Sequence, residues 1–137
     1  MTGKVPRPMN APTSTDAQGF DALYGLELSD CGQELARGRV LVRDELRQPG
    51  GPVHGGVYAA IAEALAVSGT RAGVPDQVAV GLATHTNVLH PIAEGVMHAT
   101  AVRRHRGRTT WVWEVEIAED TGRVCVVARV TVSVRDG

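Results

Sequence analysis

The chain has 137 residues, and 43% of them belong to the set AVILMFWYC, which is enough apolar material for the core of one domain but not of two. Its 14 Lys and Arg against 15 Asp and Glu leave a formal net charge of -1, which excludes an overall field for nucleic acid or an anionic membrane. No stretch of the sequence is long enough without charge to span a bilayer. We therefore expect one domain with a small-molecule partner.

The N-terminal segment, residues 1–18, holds three prolines among small polar residues and lacks the apolar stretch of a secretory signal. We predict a disordered arm there, attached to a cytoplasmic domain at 19–137. In residues 20–28 the apolar positions follow neither a helical nor a strand period, which favours a short turn or helix leading into a first strand. Alternation predicts a strand over 34–42, and turn formers at 43–52 end it.

A single helix is predicted over residues 54–70. Its apolar positions recur on one helical stripe, and most other positions carry alanine. The stripe consists of Val57, Ile61, Leu65 and Ser68. We expect this thin helix to be buried nearly all round, because small side chains allow a curved sheet to wrap closely around it. Glycines from Gly69 onward are expected to end it.

The rest of the chain has a different period, because residues rich in Val, Thr and Trp mostly alternate with polar ones. This pattern predicts strands over 78–89, 95–106, 109–118 and 123–134. Their connections are short and rich in turn formers, so we predict an antiparallel meander. The expected fold class is α+β, with one helix packed on an antiparallel sheet.

Glu63 is the first candidate for chemistry. It is an acidic residue in the middle of an apolar helix, where burying a carboxylate is costly unless it is paired or functional. The helix pattern alone does not distinguish a catalytic carboxylate from one that faces solvent or another subunit.

The second candidate is Val53-His54-Gly55-Gly56, at the start of the predicted helix. Two glycines there lower helix propensity but leave backbone N–H groups bare at the positive end of the helix, where oxyanions bind. A tight turn that requires glycine is the alternative explanation. A carboxylate and an amide donor on one rigid element could together act on a carbonyl group.

The spacing of these two candidates predicts a dimer. Within one subunit Gly55 and Glu63 would lie about 12 Å apart, at roughly 1.5 Å per residue, which is too far to act on the same carbonyl. A symmetric dimer with antiparallel helices would place Glu63 of one chain opposite Gly55 of the other.

These motifs resemble those of the hotdog-fold thioesterases of the 4-hydroxybenzoyl-CoA and PaaI type, which carry a Glu on the central helix. The resemblance begins with Leu46-Arg47-Gln48 and the run from Val53 to Glu63. It continues through His85-Thr86, Pro91 with Glu94-Gly95, residues 106–111 and Gly122-Arg123. It covers the chain from about Phe20 to the C-terminus and implies a hotdog fold, in which an antiparallel sheet wraps around one long central helix.

The resemblance implies a thioesterase that hydrolyses an aromatic or medium-chain acyl-CoA to the free acid and CoA. Glu63 would attack the thioester carbonyl or activate water against it, and the Gly55 N–H would polarise the carbonyl oxygen. Gln48 would hydrogen-bond at the reaction site, and His54 would help to hold the thioester. A thiolate is a good leaving group, so we expect no metal or other cofactor, with CoA present only as part of the substrate. The family also implies a homo-oligomer, with a dimer forming the site and a tetramer as the full assembly.

Two positions depart from the family pattern. The family usually has Ser or Thr one turn after the catalytic Glu, where a hydroxyl can position water or the carboxylate, and this chain has Val67. In the CoA region the 4-hydroxybenzoyl-CoA enzymes have an Arg where this chain has His90, although other members of the group carry His. Both residues are expected to lie in the substrate-binding or CoA-binding region.

The CoA phosphates require a basic surface, and basic residues cluster between Arg103 and Arg108 at one predicted hairpin tip. We expect Arg106, Arg108 and the hydroxyl or amide of Thr109 to bind CoA. The alternative is a solvated turn. The cluster lacks interleaved aromatic residues and therefore does not predict nucleic-acid binding.

Two other functions remain open. Val67 is compatible with a hotdog protein that binds an acyl-CoA or aromatic ligand without hydrolysing it. An acyl-CoA hydratase or dehydratase would share the fold, but such enzymes usually combine an acid with a His for proton transfer, whereas this helix combines its Glu with Gly-Gly.

Overall fold

Two helices and six strands make up residues 17–137, the part of the chain that the computed structural model describes. In chain order they are α1 (Gly19–Leu23), β1 (Glu27–Cys31), β2 (Leu35–Leu41), a 3₁₀ turn (Asp44–Leu46), α2 (Gly55–Gly73), β3 (Gln77–Val88), β4 (Val96–Arg106), β5 (Thr110–Ala118) and β6 (Val124–Asp136). The predicted arm at 1–18 lies outside the described residues, except for Ala17, which packs against the core, and Gln18, which precedes α1. Neither of the described helices is long and apolar enough to cross a membrane.

The strands form one antiparallel sheet in the order β1-β2-β4-β5-β6-β3. The predicted meander is correct for β4, β5 and β6 but wrong for β3, which pairs with β6 instead of β4. The reason is that β2 occupies the other edge of β4, with Leu35 opposite Val102 and Leu41 opposite Val96. The remaining free edge of the meander belongs to β6, and β3 pairs there from Gln77 to Val88.

Helix α2 packs on the sheet through one face instead of being surrounded as predicted. The buried residues of this face are Tyr58, Ile61, Ala62, Leu65, Ala66, Gly69 and Thr70. On the opposite side Glu63 is exposed, and Ala60 and Val67 are only partly buried. The predicted stripe was therefore rotated slightly from the observed one, because alanine-rich sequences fit several stripes almost equally well.

The glycines near the end of α2 serve packing, and the helix continues through Gly69 to Gly73. A Cβ atom at Gly69 would clash with the ring of Trp113, and one at Gly73 would clash with Trp111. Both indoles are fully buried, on the same side of β5 as predicted. The missing side chains thus allow two large rings to lie directly against the helix backbone.

A short chain of buried hydrogen bonds fixes the last turns of α2 to β5. The Nε1–H of Trp113 donates to Oγ1 of Thr70 at 2.9 Å, and the Thr70 hydroxyl donates to the carbonyl oxygen of Ala66 at 2.8 Å. Each polar atom in this chain has a partner, so burial of the Trp113 N–H and the Thr70 hydroxyl carries no unsatisfied-donor cost.

Candidate active site

The first turn of α2 leaves one backbone donor free. His54 is the N-cap in an extended conformation, and its Nδ1 atom accepts a hydrogen bond of 2.8 Å from the N–H of Gly56. The N–H of Val57 donates to the carbonyl oxygen of His54 at 3.0 Å. The N–H of Gly55 has no acceptor within residues 17–137, and a Cβ atom at Gly55 would meet nothing within 4 Å. An exposed donor therefore lies at the positive end of the helix dipole, where an oxyanion is stabilised.

The capping bond also determines which nitrogen of His54 carries its proton. Because Nδ1 accepts from Gly56, the neutral imidazole must hold its proton on Nε2. The His54 side chain is exposed, so its Nε2–H is a second donor close to the first turn of α2. A side chain that the sequence predicted as a substrate contact thus also acts as a helix cap.

A tight loop brings Gln48 to the same end of α2. The N–H of Gln48 donates to the carbonyl oxygen of Pro52 at 2.8 Å, and Arg47 pairs with Val53 in an isolated antiparallel bridge. The N–H of His54 donates to the carbonyl oxygen of Leu46 at 2.8 Å. These bonds hold exposed Gln48 beside the start of the helix, so three predicted site residues lie together: Gln48, His54 and Gly55.

The side chain of Glu63 lies directly on β3 at Gly81. A Cβ atom at Gly81 would lie 2.8 Å from Oε2 of Glu63 and 2.9 Å from its carboxyl carbon. Glu63 is exposed, and its carboxylate makes no hydrogen bond or ion pair with any residue of the described range. Gly81 was not among the residues predicted from the sequence, although a glycine inside a valine-rich strand signals the close approach of another group.

Strand β3 is an edge strand with large apolar side chains in solvent. Its second edge pairs with no other strand of residues 17–137. The exposed apolar residues on it and just after it are Val78, Val80, Leu82, Val88 and Leu89. An unprotected apolar edge of this length is characteristic of a surface that binds another chain.

A cavity of about 460 Å³ adjoins the first turn of α2. Its walls come from α1 and Tyr24, from the segment 43–47, and from one face of α2. The wall residues on α2 and at its cap are His54, Gly56, Val57 and Ala60. Burial raises the pKa of Tyr24, and the neighbouring charges of Asp21 and, to a smaller extent, Glu63 raise it further. The carboxylate of Glu63 therefore acts electrostatically on one wall of this cavity.

The predicted CoA-binding residues lie in two places. His90 is exposed near the Gly55 end of α2, because Ile92, two residues later, accepts from the Val53 N–H at 2.8 Å and donates to the Tyr58 hydroxyl at 3.0 Å. Arg106 instead lies at the C-terminal end of α2, about 27 Å from Gly55 at roughly 1.5 Å per residue.

Arg106 contacts the carbonyl oxygen of Gly73 at the end of α2, the side chain of Gln33, and the ring of Trp111, whose centroid lies 4.7 Å from its guanidinium carbon. A cation at this position complements the negative end of the helix dipole. Arg108 and Thr109 follow in an exposed turn, where the carbonyl oxygen of Thr109 accepts from Val134 at 2.9 Å. One subunit therefore does not bring these three residues to Gly55, and their contact with CoA stays a prediction.

Val67 is partly buried one turn beyond Glu63 and offers no hydroxyl to it. Within residues 17–137 no three His, Cys, Asp or Glu side chains are grouped so that they could hold a metal ion.

The family of this chain follows from comparison with known proteins. Residues 50–126 match the model of the thioesterase superfamily. The chain is 35% identical over 123 residues to the Mycobacterium tuberculosis protein named "Putative esterase Rv1847", covering 87% of this chain and 84% of that one. The structure of Rv1847 superposes with a TM-score of 0.83 at 34% identity, covering 86% of this chain and 97% of the other.

Two further relatives carry more specific names. The 1,4-dihydroxy-2-naphthoyl-CoA hydrolase of Listeria monocytogenes is 31% identical, covering 85% of this chain and 96% of the relative. The thioesterase SAV0944 of Staphylococcus aureus, solved as a Gln-to-Ala variant, has a TM-score of 0.80 at 26% identity and covers 84% of this chain and 97% of that chain. The same protein was also solved as a Glu-to-Ala variant, with a TM-score of 0.81. The resemblance inferred from the motifs is confirmed, and the chain belongs to the thioesterase superfamily, with its hotdog fold.

Proposed function

We propose that this protein hydrolyses an aromatic or medium-chain acyl-CoA to the free acid and CoA. Glu63 acts as nucleophile or general base, and the Gly55 N–H polarises the thioester carbonyl. The observation that carries the proposal concerns one helix: among residues 17–137 neither the N–H of Gly55 at its start nor the exposed carboxylate of Glu63 has a hydrogen-bond partner. The name of the Listeria relative, which specifies an aromatic acyl-CoA, supports the substrate class.

The chemistry follows from where charge develops. Addition to the thioester carbonyl places negative charge on its oxygen, which the Gly55 N–H and the Nε2–H of His54 would stabilise. If Glu63 is the nucleophile, it forms a mixed anhydride with loss of the CoA thiolate, and water then cleaves the anhydride. If Glu63 is the general base, it takes a proton from the water that adds to the carbonyl. Gln48 would hydrogen-bond the reacting group in either route, and the leaving thiolate requires no metal.

The proposed site needs two subunits. Gly55 and Glu63 are separated by about 12 Å along α2, at roughly 1.5 Å per residue, so one chain cannot apply both groups to one carbonyl. An antiparallel pair of α2 helices with the two-fold axis at the level of Ala59 would place each Glu63 opposite the partner's Gly55. Strand β3, against which the Glu63 side chain lies at Gly81, has an apolar open edge. Pairing of this edge with the same edge of a second copy would bring the two α2 helices side by side, which supports the dimer. We propose the dimer as the catalytic unit and a tetramer of two such dimers as the full assembly.

The roles of Gln48 and Glu63 are supported by a spacing in a relative. The two substituted residues of the S. aureus thioesterase, a Gln and a Glu, are fifteen positions apart in its sequence. Gln48 and Glu63 of this chain are separated by the same fifteen positions.

The CoA moiety would lie near His90. It could contact Arg106, Arg108 and Thr109 only if these residues belong to the partner subunit or if the distal end of CoA extends to them.

A second function is favoured by Val67. The residue lies one turn after Glu63 and has no hydroxyl that could hold water or the carboxylate. A protein with this site could bind an acyl-CoA or an aromatic ligand without hydrolysing it. The two functions share the fold and the ligand class, and they differ in turnover.

Thiol release from a panel of acyl-CoAs tests the proposal. The panel contains benzoyl, hydroxybenzoyl, phenylacetyl and straight-chain substrates, and it is run with the native protein and with Glu63→Gln, which keeps the shape of the side chain. Glu116→Gln is the matched control, because Glu116 is exposed on β5 and has no side-chain hydrogen bond within the described residues. We expect hydrolysis that Glu63→Gln abolishes and Glu116→Gln retains. CoA binding without release of thiol from any substrate would contradict the proposal and favour the binding protein.

A further inference from the structure

Two hydroxyl groups lie on the buried face of α2, and they belong to Tyr58 and Thr70. Thr70 is explained by its bond with Trp113, whereas Tyr58 bonds to the connection between β3 and β4. We infer that Tyr58 is a positioning residue, which holds residues 89–92 beside the first turn of α2 so that His90 can contact CoA. The inference rests on the proposed function for the identity of the ligand.

The hydroxyl of Tyr58 bonds to the backbone of Ile92. The N–H of Ile92 donates to the Tyr58 hydroxyl oxygen at 3.0 Å, and both residues are fully buried. Burial raises the pKa of Tyr58 above its ordinary value, so the phenol is uncharged at neutral pH. A phenylalanine would fill the same space but would leave this buried N–H without its acceptor. The hydroxyl therefore serves the Ile92 backbone and not the packing of the ring.

The two bonds of Ile92 lie on either side of Gly55 in the sequence. Its N–H is held by Tyr58, three residues after Gly55, and its carbonyl oxygen accepts the N–H of Val53, two residues before Gly55, at 2.8 Å. Ile92 cannot move away from the start of the helix without losing these bonds. Its position is thus tied to the N–H of Gly55, which is the proposed donor to the thioester carbonyl.

The other end of the segment 89–92 is held by β6. The N–H groups of Leu89 and His90 both donate to the carbonyl oxygen of Cys125, at 2.7 and 3.1 Å. Between these bonds and those of Ile92 lies Pro91, which is exposed and whose ring fixes one backbone dihedral. The backbone of the segment is therefore fixed at both ends. The His90 side chain is exposed and makes no hydrogen bond with any residue of the described range.

The order of this segment affects the affinity for a ligand. Binding to a mobile segment includes the free-energy cost of ordering it, and this cost is absent where the segment is already fixed. Without the Tyr58 hydroxyl, the backbone of Ile92 would keep only its bond with Val53 within the described residues. His90 would then be less fixed beside Gly55. A contact with CoA that is the same in the bound substrate and in the transition state changes Kd and KM but not kcat.

Binding of CoA itself tests the inference without turnover. Isothermal titration calorimetry gives the Kd for the native protein, Tyr58→Phe, His90→Ala and the double variant. Thr70→Val is the matched control, because it also removes a hydroxyl from the buried face of α2 and leaves a buried N–H, that of Trp113, without its acceptor. The change in Thr70→Val lies at the far end of the helix from Gly55.

We expect Tyr58→Phe to raise the Kd for CoA by about three- to tenfold, and Thr70→Val to bind CoA like the native protein. Both should lose thermal stability, because each leaves one buried N–H unpaired. His90→Ala should raise the Kd at least as much, and adding Tyr58→Phe to it should change the Kd little further, because Tyr58 acts through His90.

Hydrolysis gives a second measurement. In Tyr58→Phe the KM for an acyl-CoA should rise while kcat stays nearly unchanged. The same acyl group on N-acetylcysteamine, which lacks most of CoA, should show no such rise. A general distortion of the site by Tyr58→Phe would affect both substrates alike.

Pro91→Gly is a second variant, which keeps the buried bond of Tyr58 and gives the exposed part of the segment more conformational freedom. It should raise the Kd for CoA when His90 is present and leave it unchanged in His90→Ala. This result does not depend on whether Tyr58→Phe folds.

Native CoA affinity in both Tyr58→Phe and Pro91→Gly would overturn the inference. Equal weakening by Tyr58→Phe and Thr70→Val would overturn it as well, and so would fully additive effects of Tyr58→Phe and His90→Ala. Failure of the proposed function gives a different result, because CoA binding would then depend on Tyr58 and His90 as expected but no acyl-CoA would release thiol. Hydrolysis with a KM that Tyr58→Phe and Pro91→Gly leave unchanged would instead contradict the inference alone.

Discussion

The Nδ1 atom of His54 accepts the backbone N–H of Gly56 at 2.8 Å, so the residue that precedes α2 is both its cap and the holder of an outward Nε2–H. Capping requires only an acceptor in the position of Nδ1. A contact with the substrate carbonyl would require the donor at Nε2. The two functions of one ring can therefore be separated by substitution.

Substitution of His54 by Asn and by Gln separates them. Asn places its oxygen near the position of Nδ1 and should keep the cap, whereas Gln reaches the position of Nε2 and should keep a donor. We expect His54→Asn to retain native thermal stability but to lose about tenfold or more in kcat. His54→Ala should lose both the catalytic effect and about 1 kcal/mol of stability. Melting curves and steady-state kinetics check this, and a native kcat in His54→Asn would show that the ring serves only as a cap.

Gly55→Pro is a specific test of the backbone donor. Gly55 is the first residue of α2, a position that proline favours, and His54 before it has the extended conformation that a following proline requires. The substitution removes the N–H, and the added Cβ atom would meet nothing within 4 Å. We expect a folded protein with kcat lower by about 10²–10³-fold. Gly55→Ala retains the N–H and should retain most activity; equal loss in both variants would assign the effect to the side chain.

Mixed dimers test whether the site is shared between subunits. We expect Gly55→Pro and Glu63→Ala to be inactive as homodimers. A heterodimer of the two has one site with both native groups if Glu63 acts on the partner's Gly55, and no such site if both groups act within one chain. Purification through two different tags should therefore give a heterodimer with about half the native activity per dimer. Absence of recovered activity in a verified heterodimer would contradict the shared site.

Gly81→Ala tests the contact between Glu63 and β3. The added Cβ would lie 2.8 Å from Oε2 of Glu63, so the end of this flexible side chain has to move. We expect little change in the melting temperature and in KM, because the strand keeps its pairing and the cavity is untouched. The value of kcat should fall by about tenfold or more, because a displacement of roughly 1 Å is costly for a reacting group. A fall in stability with unchanged kcat would show that Gly81 has only a packing role.

Asp120 gives a pH dependence to stability. Its hydrogen bonds with His98, at 2.8 Å, and with the N–H of Val96 hold the pKa of Asp120 below its ordinary value of 3.8. A carboxyl group with a lowered pKa stabilises the fold above its unfolded value, and this contribution is lost as pH falls through the folded value.

We therefore expect Asp120→Asn to be less stable than the native protein at pH values above 3.8, and the difference to shrink below 3.8 and to disappear once the pH is below the lowered pKa of Asp120 in the folded protein. Urea midpoints measured across this range check the prediction. Asp76→Asn is the control, since Asp76 is exposed and has no side-chain hydrogen bond within the described residues. A difference that persists at the acid end would rule out ionisation of Asp120 as its cause.

The local elements were predictable because each has a strong period of its own. The alternation from 95 to 134 predicted β4, β5 and β6 with bounds close to the observed ones, and the alanine-rich run predicted α2. The position of β3 was not predictable in the same way. Its alternation is similar to that of the neighbouring strands. Its pairing with β6 depends on β2 pairing with the other edge of β4. This is a long-range effect that local sequence patterns do not indicate.

The candidate site was predictable where chemistry and spacing coincide, as at Gly55 and Glu63. The groups that surround them were harder to predict. Phe20 and Leu23 belong to a helix of five residues with no clear period. The role of Gly81 is evident only from the structure, in which the Glu63 side chain lies against it. Arg106 has a side chain suited to binding phosphate, but its observed contacts with Trp111 and Gly73 depend on the packing of α2 against β5.

The unbroken course of α2 from Gly55 to Gly73 makes the separation of Gly55 and Glu63 a fixed length. In the proposed dimer, the offset between one helix and its partner then depends on how the two β3 edges align. Strand alignments change in steps of two residues, roughly 7 Å, because a single-residue slip would turn inward side chains outward. In a misaligned pair, Glu63 would be displaced by roughly 7 Å from its position opposite the partner's Gly55. The two-fold symmetry imposes the same displacement on the second site, so each assembled dimer has either two working sites or none.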